Sequence, residues 1–305
     1  MNKPLERVLD AVGRVVLGKD QVVRLAVTTV LAKGHLLLED IPGIGKTTLA
    51  LTLARVLGLQ FGRIQFTSDL LPADITGTSV FDARDQTFTF RPGPIFRQVV
   101  LADEVNRATP RTQSALLEAM GEGQVSVEGT TYRLKEPFLV VATQNPIEQY
   151  GTFPLPESQL DRFFMSLRMD YPARGVEKEL LTRLDSRKRV QALMPAISLQ
   201  ELQDAQERVR LIKTSDALLE YVLDIVWATR RSEKLVMGVS PRGAEATVLA
   251  AKAWALLAGR DYCIPEDVQA IAPAVMRHRL VTRGEFANVR REQVVEELIK
   301  TVPIP

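Results

Sequence analysis

Between Leu36 and Leu57 the chain passes from an unbroken apolar run, through a proline and two glycines, into a helical repeat. Few folded arrangements satisfy that order. Leu36, Leu37 and Leu38 read as a buried strand, Pro42, Gly43 and Gly45 as a tight loop, and Thr47 to Leu57 as a helix. A loop of this kind aims successive backbone N–H groups at an anion and sets it on the positive end of the helix. Gly43 and Gly45 supply backbone angles and a close approach that a side chain would block. Pro42, Ile44 and Thr48 complete the turn, Lys46 adds a point charge for β- and γ-phosphates, and the Thr47 hydroxyl is suited to ligate Mg²⁺. One position departs from the pattern GxxxxGK[ST]: Asp40 stands where its first glycine would be, which leaves the geometry of that turn open. The segment predicts a nucleotide-binding protein.

With 305 residues the chain can bury a large core in one domain or two. The net charge of +2 supplies no global field for nucleic acid. The basic clusters Arg187-Lys188-Arg189, Arg277 to Arg279 and Arg290-Arg291 are short and read as solvated helix faces or ends. Cys263 is the single cysteine, so no internal disulfide forms; it reads as an inert, partly buried thiol in a reducing compartment. No run of about 18 apolar residues occurs, and the first turns carry Lys3, Glu6, Arg7 and Asp10 rather than an apolar leader. The expected location is the cytoplasm.

Two short helices, Leu5 to Val16 and Gln21 to Ala32, precede an α/β alternation. Its strands are expected at 35–39, 63–66, 99–103, 138–143 and 163–167, with helices at 47–57 and 109–120. Apolar runs without alternation, such as Val99 to Ala102, fit parallel strands covered on both faces. Ser79 to Ile95 and Gln124 to Leu134 alternate instead and predict two hairpins. After Tyr171-Pro172 every segment reads helical, namely 175–190, 199–213, 217–231, 241–258 and 266–277. Ser198 with Glu201 forms a capping box, and Pro265 opens the last of these helices. The expected domains are therefore 1–171, an α/β core with two hairpin inserts, and 172–305, an all-helical domain.

Two of the buried strands end in chemistry. Asp103 and Glu104 close one; in a phosphate-loop ATPase the first such carboxylate holds Mg²⁺ through water and the second accepts a proton from the attacking water. Asn145, ahead of Pro146, closes the other and could orient water against the γ-phosphate.

Several blocks carry a closer likeness: Ala102 to Ala108, Thr112 to Met120, Ala142 to Glu148, Leu155 to Phe163, and Val239 to Gly243. In this order they resemble the MoxR family of AAA+ ATPases, of the helix-2-insert clade related to magnesium-chelatase-type ATPase subunits. The resemblance implies an AAA+ P-loop NTPase core with a parallel five-stranded sheet, followed by an all-helical lid. It gives Lys46 and Thr47 the Walker A roles, Asp103 and Glu104 the Walker B roles, and Asn145 that of sensor 1. Arg162 resembles the arginine finger that reaches a neighbouring subunit, with Arg107 and Arg111 as alternatives. Arg242 resembles sensor 2, acting on its own or a neighbour's nucleotide. Val16 to Gly18 falls where the family packs the adenine, and the hairpins resemble inserts that face the pore. The implied activity is hydrolysis of ATP with Mg²⁺ in a homo-oligomeric ring, a hexamer. Its implied task is chaperone-like remodelling of a client, often a von Willebrand A-domain protein or a metal- or cofactor-dependent enzyme.

Two other classes compete. A DNA-associated motor is disfavoured by the near-neutral charge and by the lack of a helix-turn-helix or zinc module in the sequence. A nucleotide-gated scaffold with little turnover is disfavoured by Glu104.

Overall fold

The computed structural model describes residues 3–145, 151–182, 186–286 and 288–305. Pro146-Ile147-Glu148 of the third block lies outside them, as does the side chain of Arg187. The chain opens with α1 (Lys3–Gly13) and α2 (Asp20–Leu31), then runs β1 (Leu36–Glu39), α3 (Lys46–Val56) and β2 (Phe61–Gln65). A short α4 (Pro72–Thr76) leads into the first hairpin, β3 (Gly77–Asp82) and β4 (Thr87–Pro92). There follow β5 (Val99–Asp103), α5 (Pro110–Glu122), the second hairpin of β6 (Gln124–Val127) and β7 (Thr130–Arg133), then β8 (Leu139–Gln144), α6 (Glu157–Leu160) and β9 (Met165–Leu167).

The expected five-stranded sheet forms in the order β2-β5-β8-β1-β9, and every pairing in it is parallel. Its strands show why unbroken apolar runs suit a sheet covered on both sides. Leu36 and Leu38, Val99 and Leu101, and Leu139 and Val141 face one core. Leu37, Val100 with Ala102, and Val140 with Ala142 face the other. The period of two sorts one apolar segment into two layers. α5 and the bases of the hairpins cover the second face, while α1, α2 and α3 cover the first.

Beyond β9 come α7 (Arg174–Thr182), α8 (Ser186–Gln191), α9 (Leu199–Leu211) and α10 (Asp216–Arg231), then β10 (Leu235–Met237), α11 (Pro241–Leu257), α12 (Pro265–Met276), β11 (Val281–Thr282) and α13 (Arg291–Thr301). The helical second part stands, with one small addition: β10 and β11 pair antiparallel within it. The capping box at α9 forms as expected, Ser198 N–H donating to Glu201 Oε2 at 2.8 Å and Glu201 N–H to Ser198 Oγ at 3.2 Å. The first core is not confined to the sheet. It continues through α9, α10, α11, α12 and α13, so α2 is packed between the sheet and the helices α9 and α11.

One expectation is overturned. Arg277, His278 and Arg279 are 4%, 1% and 5% exposed, not a solvated helix end. Arg277 donates to Glu39 Oε2 at 2.8 Å and pairs with Glu292; Arg279 Nε donates to Asp161 Oδ1 at 2.6 Å. Burying such cations is costly unless each finds carboxylates and carbonyls. Glu39 and Asp161 lie over a hundred residues away in sequence, where local polarity gives no sign of them.

Candidate functional site

In a parallel sheet all strands point the same way, so residues that follow strands gather at one end and residues that precede them at the other. Pro42 to Thr48 follow β1, Asp103 and Glu104 end β5, and Asn145 follows β8. These form a cluster at the carboxyl end of the sheet.

The loop after β1 has the geometry its glycines predict. Gly43 and Gly45 take φ values of +85° and +101°, a region other residues enter at a cost. A Cβ on Gly43 would meet no protein atom within 4 Å, so backbone conformation rather than protein crowding requires glycine there. Gly45 caps α3 without a side-chain hydrogen bond, which leaves the first-turn N–H groups directed outward. Thr47 and Thr48 lie in that turn, partly exposed, and Ile44 packs on the first core. Lys46 Nζ donates to the Asp40 carbonyl at 2.6 Å.

Asp40 resolves the open turn. Its carboxylate, 8% exposed, accepts backbone N–H groups of Ile41 at 2.9 Å and of Met169 and Asp170 at 2.7 Å each. The residue in place of the usual glycine is a clamp from the loop to the far side of β9.

Asp103 Oδ1 accepts the Thr143 hydroxyl at 2.7 Å, and Oδ2 pairs with Arg63 at 2.7 Å. Glu104 sits in the left-handed region at φ 59° and ψ 51°. A non-glycine residue there signals local strain held by its surroundings. Here the Glu104 N–H donates to Thr143 Oγ1 at 2.9 Å, and Glu104 Oε2 accepts from Gln65 at 3.0 Å and Arg107 at 3.1 Å. Thr143 thus binds both acidic residues at once. The sequence offered one sign of it, a hydroxyl interrupting the apolar run Phe138 to Ala142, while Arg63 and Gln65 gave none. Asn145 is 6% exposed, two residues beyond Thr143.

Arg162 and Arg242 are elsewhere. Arg162 precedes β9 rather than ending a strand, and its guanidinium donates to the Leu117 carbonyl at 2.7 Å. It lines a cleft of about 180 Å³ with Arg242, Arg279, Lys33 and His35, at the amino end of β1 and β9. Asp161 braces this cleft: besides Arg279 it accepts the Ser240 hydroxyl at 3.0 Å, and Ser240 caps α11, which carries Arg242. At about 3.3 Å per residue, the length of β1 alone separates this cleft from the phosphate loop by roughly 13 Å. Of the alternatives for a finger, Arg107 is engaged with Glu104 of its own chain, and Arg111 is exposed in the first turn of α5.

His35 is buried beneath the same cleft. Val140 N–H donates to its Nδ1 at 3.1 Å and its Nε2 lies 3.0 Å from the Met120 carbonyl, which fixes the neutral tautomer. Burial, opposed by the Met120 contact and aided by Arg242, lowers its pKa to about 4.

Gly18 lines a separate cavity of about 610 Å³, bounded by the start of α2, the end of β9, α12 and α13. Val176 of α7 lies against it so closely that a Cβ would come within 2.8 Å. Cys263 is half-buried, and burial pushes its thiol up to about 11, so it is no nucleophile.

Comparison with known proteins agrees with the fold. A family profile described as "ATPase family associated with various cellular activities (AAA)" matches residues 35–165, and one for an AAA lid domain matches 227–298. YeaC of Bacillus subtilis is 46% identical over 99% of this chain and 95% of its own. Chaperone MoxR1 of Mycobacterium tuberculosis is 42% identical over 99% of this chain and 82% of its own. A crystal structure from Cytophaga hutchinsonii superposes with a TM-score of 0.91 at 36% identity, covering 99% of this chain and 95% of that one.

Proposed function

The chain belongs to the MoxR family of AAA+ ATPases and hydrolyses ATP, and from that premise we propose that it does so as a homo-oligomeric ring, a hexamer, with each ATP shared between two subunits. One observation carries the reading: the phosphate loop and carboxylates lie at one end of the sheet, Arg162 and Arg242 at the other. A guanidinium that far from its own loop is useful only to a neighbour's nucleotide. Arg242 shares the cleft, so it too acts in trans.

Within one site, the loop from Pro42 to Thr48 holds the phosphates through first-turn N–H groups and Lys46. Glu104 takes the proton of the attacking water; its Oε2 is held by Gln65 and Arg107, and no hydrogen bond within the described residues engages Oε1. Asn145 orients that water. Thr47 and Asp103 offer hydroxyl and carboxylate oxygens, the hard donors that suit Mg²⁺. Among the described residues no group of three or more His, Cys, Asp or Glu side chains could hold a metal alone, so the ion would enter with the nucleotide. When bound, it neutralises charge building on the transferred phosphoryl group. Gly18 and its cavity receive the base.

The unit that responds is the lid, residues 172–305, since among the described residues no strand of the main sheet follows β9. The work is chaperone-like remodelling of a client in the cytoplasm, a von Willebrand A-domain protein or a metal- or cofactor-dependent enzyme. The relative named a chaperone supports this task, and the exposed Phe81 and Phe88 on the first hairpin offer an apolar contact for such a client. No helix of the described chain is long and apolar enough to cross a membrane.

The test mixes inactive subunits. Lys46→Ala chains lack the loop cation and Arg162→Ala chains lack the finger, whose loss costs on the order of 10³ in rate. Mixed rings are expected to regain part of the ATPase activity, since Lys46→Ala subunits still offer Arg162. Absence of rescue at every ratio, with mixed assembly confirmed, refutes action in trans.

A further inference from the structure

Glu39 and Asp40 are consecutive acidic residues where β1 ends and the phosphate loop begins, and Asp40 is tied to the segment leading into the lid while Glu39 is tied to the lid itself. Asp40 holds Met169 and Asp170, the residues that lead out of β9 toward α7. Asp170 has φ 50°, a left-handed conformation for a non-glycine residue, and its N–H is one of those held. The next residue, Tyr171, accepts Lys19 Nζ on its carbonyl at 3.0 Å. Glu39 Oε2 accepts the Ser166 hydroxyl at 2.9 Å and Arg277 at 2.8 Å. Arg277, at the end of α12, also pairs with Glu292 in the first turn of α13.

We propose that Asp40, seconded by Glu39, is a positioning residue that couples the phosphate loop to the lid. Most phosphate loops carry glycine here, which can bend but cannot hold anything. Asp40 grips the loop from within, through Ile41 N–H, and the lid linker from without, through two further N–H groups. Hydrogen bonds to an ionised carboxylate are the stronger kind, and these are short. Lys46 meets the carbonyl of this same residue, so a change at the loop cation bears directly on the clamp. Coupling is reciprocal: a linker held by Asp40 also sets the state from which the loop releases nucleotide. The role is distinct from phosphate binding, because the carboxylate faces backbone N–H groups rather than the loop's concave side.

The inference rests on the nucleotide site assigned above, and the experiment separates the two. Asp40→Gly restores the common loop pattern while removing the clamp. Asp40→Asn keeps the volume but turns an amide donor toward N–H groups that need an acceptor. Three readouts apply to each variant of the full chain: affinity for mant-ADP, steady-state kcat and KM for ATP, and hydrogen exchange of residues 167–182 with and without ADP. Asp40→Gly is expected to bind mant-ADP within about three-fold of the native chain, yet to lose on the order of ten-fold in kcat, the scale of common coupling energies. The ADP-dependent change in exchange at 167–182 should vanish with it. Should Asp40→Gly fold poorly, Asp40→Asn and Glu39→Gln carry the test, Glu39→Gln reducing the ADP-dependent change without touching the loop turn. Native kcat with a preserved exchange response overturns the proposal, as does a variant weakened only in KM, which would make Asp40 a loop-shaping residue. Native chain that fails to bind mant-ADP, or Lys46→Ala that binds it equally well, overturns the site assignment itself and is recognised without any Asp40 variant.

Discussion

Thr143 shows how much a single hydroxyl can arrange. It donates to Asp103 and accepts from the Glu104 backbone, so it ties the orientation of one carboxylate to the strained backbone of the other. Glu104→Gln is expected to retain nucleotide and stop turnover, because an amide cannot take the proton of water. Thr143→Val should act more mildly on the same step: mant-ADP affinity unchanged, kcat down about ten-fold, the rate equivalent of one lost hydrogen bond. Steady-state kinetics beside a binding titration checks both, and native kcat in Thr143→Val would show that Glu104 needs no such brace. At this scale the sequence was legible wherever a residue's role follows from its neighbours, as with Lys46 and Thr47 behind two glycines. Asp40 reads as a defect in a pattern because its partners, Met169 and Asp170, are brought to it only by the pairing of β1 with β9.

Elements were legible where their periodicity is local. Both hairpins were visible as alternation, and both form as antiparallel pairs. Their contact with each other was not visible. Phe90 of β4 stacks on Tyr132 of β7 with ring centroids 4.1 Å apart and planes 18° from parallel, and Phe96 meets both rings edge-on. Two inserts separated by a strand and a helix are thereby joined at their bases. A double-mutant cycle of Phe90→Ala and Tyr132→Ala in urea unfolding should give a coupling of about 1 kcal/mol. Additive effects would mean that the hairpins stand independently. α13 is absent from the expected helices although Val294, Val295, Leu298 and Ile299 repeat at helical spacing; the charged Arg290-Arg291 ahead of it drew the segment toward a solvated reading. The pair β10 and β11, only a few residues each and 44 or more positions apart, is too short to announce itself.

For the whole molecule, the core that runs from the sheet through α9 to α13 makes the lid a partner in folding rather than an appendage. Acid should weaken this assembly through His35. Its ordinary pKa of 6.5 falls to about 4 in the folded chain, so between those values the unfolded chain takes up a proton the folded chain refuses. Stability from this residue is complete above pH 6.5, declines as pH falls toward 4, and amounts to about 3 kcal/mol. His278, also buried and lowered, acts in the same direction. Urea midpoints of native chain and His35→Gln, compared from pH 7 to 4.5, should show the shallower slope in the variant; parallel curves would show that His35 charges as easily inside as outside. The polarity of the sheet has a last consequence. With the phosphate loop at one end and the arginine cleft at the other, each chain on the proposed arrangement carries half of two different sites and the whole of none. On the proposed arrangement its specific activity is therefore a function of concentration: dilution, or a protein that merely occupies the arginine face, silences the ATPase while every residue of the phosphate loop remains intact.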